Sequence, residues 1–172
     1  KITSLITIEH DVKRLNEFQD EFGMTFVELS IKQETKINIM KYEFSERDLN
    51  GFSDFYYLKG ISDMPIHGAW RNQILNLIDF LNSKSSKFYY RLPTAQEYCV
   101  LSGGCNSIDE TPLTPFVANN IDLVKNTSAN EIGIHGLYDN VNEWTYDELN
   151  PDFGMLFGGD AHFGPHNVLF AD

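Results

Sequence analysis

At 172 residues and 42% hydrophobic, the sequence predicts one folded domain over residues 1–172, long enough to bury a sizeable core and neither disordered nor fibrous. Thirteen Lys and Arg against 25 Asp and Glu give a formal net charge of −12, which excludes the clustered cations of a nucleic-acid binder and leaves carboxylates for cations or basic partners. No apolar run approaches the roughly 20 residues of a membrane helix, so a soluble chain without membrane insertion is expected, and no secretory leader is visible.

In chain order, Val12, Leu15, Phe18 and Phe22 recur at helical spacing and predict a helix over residues 11–22, with Asp11 as its cap. Strands are expected at 24–29 and 36–44, and a short helix from Ser45 carrying Leu49 and Phe52. Ile74, Leu77, Ile78 and Leu81 form the apolar stripe of an amphipathic helix over 70–81. Thr94 and Glu97 spell a capping box: the hydroxyl of the first and the carboxylate of the second each accept the other's backbone N–H. Beyond Ser102 the chain turns irregular to Asn130, and its final third alternates short apolar stretches with Gly, Asn and Asp, which predicts strands and tight turns. Helices ahead of a loop-rich end, without βαβ alternation, predict an α+β fold with two or three helices and short strands. Cys99 and Cys105 are expected as free thiols, a bridge being the alternative, because Cys99 falls inside a predicted helix.

Tyr90-Arg-Leu-Pro-Thr-Ala-Gln-Glu97 resembles the YRLPTEAEWE segment of the formylglycine-generating enzyme (sulfatase-modifying factor) family. Gly23-Met-Thr-Phe-Val-Glu-Leu29 is similar to that family's GMxFVxI strand, and Met40-Lys-Tyr-Glu-Phe-Ser45 to its KYEVT block. Pro65-Ile66 before Trp70 resembles PVxxVSW, residues 130–144 resemble NxxGLYDMxGNVWEW, and Leu156-Phe-Gly-Gly-Asp160 stands where the family has RGGS. Six ordered blocks thus imply a C-type-lectin-like fold, rich in ordered loop, with the family's last C-terminal strands lacking. Trp70 and Trp144 fall at the family's core positions, and Phe88 and Tyr89, which lead into the RLPT segment, are likewise expected in the core.

The same resemblance implies where the family's chemistry is missing. Its enzymes carry two cysteines after RGGS that bind copper and activate oxygen; Phe163 and Val168 stand there, and neither is a nucleophile or a metal ligand. No catalytic residue is therefore expected, nor is any cofactor required. The family's calcium loop, carried over position by position, falls on Gly136, Asp139, Val141 and Glu143. Gly136 brings no ligand and Asp139 offers a carboxylate from a new direction, so a calcium site on Asp139, Val141 and Glu143 is one reading. Asx turn caps at Asp139, Asn140 and Asn142 are the other. Asp160, His162 and His166 could hold a transition metal, but Gly164-Pro165 breaks the helix that would converge the histidines, so a surface turn is the default.

Asn126-Thr-Ser128 meets the glycosylation pattern, and His67 and His135 show no partner in sequence. The leading expectation is a non-catalytic binding or structural module that presents loops 103–130 and 147–166 to a protein or glycan partner. A virion or surface assembly component is a sub-case. The alternative is a metal- and oxygen-dependent oxidase of the formylglycine-generating class with an altered or incomplete site.

Overall fold

The computed structural model describes residues 12–31, 35–49, 62–66, 69–102, 121–137, 140–146, 153–157 and 168–171. Among the described residues the architecture is α+β: two helices with two three-stranded antiparallel sheets. One sheet has the order β1 (Val12–Gln19), β2 (Thr25–Ile31), β3 (Thr35–Met40). The other joins β4 (Glu143–Trp144), β5 (Phe153–Phe157) and β6 (Val168–Ala171) in sequence order. A 3₁₀ turn at Glu46–Leu49 and the helices α1 (Arg71–Lys84) and α2 (Ala95–Leu101) lie between them in the chain.

The helix expected over 11–22 is a strand and a turn. Val12 pairs with Ile31 and Phe18 with Phe26, and the register shifts between Arg14 and Asn16, so Leu15 is the extra residue of a β-bulge. One inserted residue reverses which side of the sheet the following side chains face, and Leu15 is left 41% exposed. Asp20 caps the turn that follows, accepting the N–H groups of Phe22 at 2.9 Å and Met24 at 2.8 Å. The strand expected over 36–44 stops at Met40, and the short helix begins at Glu46 with Leu49 fully buried; Asp11 and Phe52 lie outside the described residues.

Both faces of the first sheet are covered. Val27 and Leu29, opposite Ile39 and Ile37, pack with Tyr98, Cys99 and Leu101 of α2 and with Ile134 and Leu137. On the other face Phe26, opposite Phe18 and Met40, packs with Met24, Leu49 and the α1 residues Leu77 and Leu81. That face turns polar toward its far end, where Glu28 opposes Asn16 and Asn38 and its carboxylate meets Lys36 Nζ at 3.0 Å.

Helix α2 starts as its capping box dictates. Thr94 Oγ1 accepts from Glu97 N at 3.1 Å and Glu97 Oε2 accepts from Thr94 N at 2.8 Å. Thr94→Ala is expected to cost about 1 kcal/mol, read as a lower urea midpoint at unchanged slope; an unchanged midpoint would show that the cap is not formed.

Three local expectations are corrected. Trp70 is 71% exposed: it stands just before α1 with extended backbone, outside the helix's apolar stripe. Tyr89 is 81% exposed, because extended chain sends neighbours to opposite sides. Phe88 and Tyr90 take the inner side, with Phe88 stacked on Phe18 at 5.5 Å. Cys99 is in a disulfide, so the free-thiol expectation fails; Cys105 is the chain's one other cysteine and lies outside the described residues. Trp144 is half-buried, its Nε1–H donating to Ala69 O at 3.1 Å.

Candidate functional site

Two features stand out: an open groove and a half-buried carboxylate clamp in its lining. The groove encloses about 460 Å³. Its walls are β3, the extended segment 88–93, the α1 residues Ile74 and Ile78, and Leu137 and Val141 of the turn-rich segment. The apolar stripe of α1 is divided here. Leu77 goes into the core, Ile74 and Ile78 stay half-buried at the groove, and Leu81, itself buried, forms part of the groove floor.

The clamp is built by Glu43, three residues past β3. Its Oε2 accepts from Asn140 Nδ2 at 2.5 Å and its Oε1 from the Val141 N–H at 3.2 Å. Asn140 is 2% exposed with φ +73°, and its side chain also closes on Asp122, with Oδ1 accepting the Asp122 N–H at 2.7 Å and Nδ2 donating to the Asp122 carbonyl at 3.1 Å. Gly136, at φ +78°, allows this arrangement: a Cβ there would lie 2.6 Å from the Glu43 carboxyl carbon. A carboxylate therefore does reach position 136, but from Glu43, which sequence reasoning did not single out. The one available hint was a glycine at the position where the resemblance places a ligand side chain.

Other expected site residues are spread out. Glu143 opens β4, with Tyr98 Oη 3.4 Å from its Oε2, and Val141 gives its N–H to Glu43. Val168 starts β6 opposite Leu156. Asp139, Asp160, His162, Phe163 and His166 lie outside the described residues, as does His67. His135 has partners after all: its Nδ1 donates to Thr127 O at 2.7 Å and its ring lies 4.8 Å from that of Tyr42. Asn126 is exposed in a turn, its N–H donating to Leu123 O at 2.8 Å. Among the described residues no group of three or more His, Cys, Asp and Glu is placed to hold a metal ion. No helix among them is long and apolar enough to cross a membrane.

On the groove wall, Arg91 and Glu97 form a two-pronged ion pair at 2.6 and 2.7 Å. Burial alone would raise the Glu97 pKa, but the Arg91 guanidinium and the Thr94 N–H outweigh it and hold the carboxyl below its usual value. A folded-state pKa below the unfolded one gives stability that is present above the unfolded value and lost as pH falls through the folded one. The melting-temperature gap between wild type and Glu97→Gln is thus expected to be full at pH 7 and to close below about pH 4. A gap independent of pH would refute the ion pair's role.

The chain matches no family model, no curated protein and no solved structure.

Proposed function

We propose that this chain is a non-catalytic binding or structural module on a C-type-lectin-like scaffold of the formylglycine-generating type, with a protein or glycan partner. The positions of elements support the scaffold: β2 overlaps the 23–29 block, α2 starts within the 90–97 block, β4 ends the 130–144 block and β5 runs into the 156–160 block. The observation that carries the function is the absence of an available thiol where the resembled chemistry needs one. Phe163 and Val168 hold the two cysteine positions, and Cys99 is 6% exposed and in a disulfide. An open groove with half-buried apolar walls gives such a module a surface to use.

Incubation with a cysteine-bearing peptide, copper and oxygen tests this reading by mass spectrometry. The peptide is expected to keep its sulfur; conversion of its cysteine to an aldehyde overturns the proposal and favours the oxidase. The module needs no ion in this reading: the Glu43 carboxylate, rather than a cation, sits beside Gly136 and accepts from the Asn140 side-chain amide and the Val141 N–H. A chelator is therefore expected to leave the melting temperature unchanged. A drop that calcium restores would instead assign the ion to Asp139, the Val141 carbonyl and Glu143.

A further inference from the structure

Sheet geometry fixes which backbone groups β3 turns toward the groove. Lys41 N donates to Thr25 O at 2.9 Å, which marks that pair as hydrogen-bonded. In an antiparallel ladder such pairs alternate, so Ile39 and Ile37 bond across to Val27 and Leu29. The N–H and C=O groups of Lys36, Asn38 and Met40 therefore point away from β2, and no described residue bonds to them. All three residues line the groove. Exposed edges invite pairing, and proteins usually blunt them with charge, proline or a covering element. Here Lys36 is the one charged residue in β3, and its ammonium is engaged by Glu28.

We infer that the outer edge of β3 binds an extended segment of a partner protein as a fourth strand of the first sheet, an inference that rests on the binding-module reading. The occupant follows from hydrogen-bond complementarity: a row of backbone donors and acceptors at two-residue spacing is met by another extended backbone. The side chains around the edge say which sequence fits. Ile39 and Met40 project to opposite faces of the sheet and both are half-buried, so a strand beside them gains apolar contact on both sides. Toward Asn38 and Lys36 the face turns polar, and the chain's net charge of −12 favours a basic segment. Ile74 and Ile78 complete the apolar wall on the α1 side. The partner is thus an extended peptide with apolar residues toward the Met40 end and Lys or Arg among its polar ones.

The test uses the whole chain and a pool of blocked octapeptides alternating Val or Leu with Lys or Thr. A twin pool carries N-methyl groups on alternate amides, which removes hydrogen bonding along one edge and leaves the protein untouched. The first pool is expected to slow hydrogen exchange at the amides of Lys36, Asn38 and Met40 at least about tenfold, and the twin to leave them unchanged. Equal effects of the two pools overturn the inference, as does unchanged exchange at millimolar peptide. Perturbation of the groove by neutral oligosaccharides alone overturns it too, while leaving the module reading in place. Aldehyde formation, in contrast, removes the module reading itself.

Discussion

Tyr98→Ala is expected to destabilise the fold by about 4 kcal/mol, and Tyr98→Phe by about 1–2 kcal/mol. The ring is 1% exposed and packs in the cluster formed by Val27, Leu29, Leu101, Ile134 and Leu137. Truncation removes an aromatic from the contact between β2, α2 and the turn-rich segment and leaves a cavity there. The hydroxyl donates to the Leu137 carbonyl and lies 3.4 Å from Glu143 Oε2, and phenylalanine deletes these polar contacts while keeping the ring. Urea denaturation of the two variants separates packing from hydrogen bonding. An alanine variant no less stable than the phenylalanine one would mean that Tyr98 does not fill this core.

The second large effect is expected at the clamp. Gly136→Ala puts a methyl 2.6 Å from the Glu43 carboxyl carbon and 2.8 Å from Oε2, at a φ of +78° that costs an ordinary residue about 1–2 kcal/mol by itself. A glutamate tip is normally free to swing aside, but Asn140 and Val141 hold this one. The substitution is therefore expected to cost about 3 kcal/mol, and Glu43→Ala about 2–3 kcal/mol by taking the acceptor from half-buried Val141 N–H and from one of the two Nδ2 protons of buried Asn140. In the Glu43→Ala background the cost of Gly136→Ala falls to the backbone strain alone, a coupling of about 1–2 kcal/mol. Strictly additive losses would show that the two residues do not compete for the same space.

The helices were legible because their signals are local. The Thr94–Glu97 box and the Ile74–Leu81 stripe need only four to eight residues to be read, and both stand where expected. Strands β2 and β3 were legible from their dense apolar, β-branched runs. Strand β1 was not, because the bulge at Leu15 breaks the two-residue alternation. Val12 and Phe18 would share a face in an unbroken strand; the inserted residue puts them on opposite faces, and the spacing that remains imitates a helix. Tyr89 was misread in the core for want of that same alternation. The clamp was hidden for a different reason: Glu43 and Asn140 are brought together from 97 positions apart, and no local pattern encodes such a meeting. The expected loops 103–130 and 147–166 are described only at 121–130 and 153–157, so the groove, which no motif announces, carries the argument instead.

The lid over one face of the β1–β3 sheet has a consequence for how the protein is made. Val27 and Leu29 are covered partly by Ile134 and Leu137, which a ribosome reaches about a hundred residues later. At roughly 5–20 residues per second, a finished hairpin waits on the order of 5–20 s with greasy surface bare. Nascent chains should thus lean on holdase chaperones until the turn-rich segment emerges, and synthesis slowed ahead of Ile134 should lower the yield of native protein.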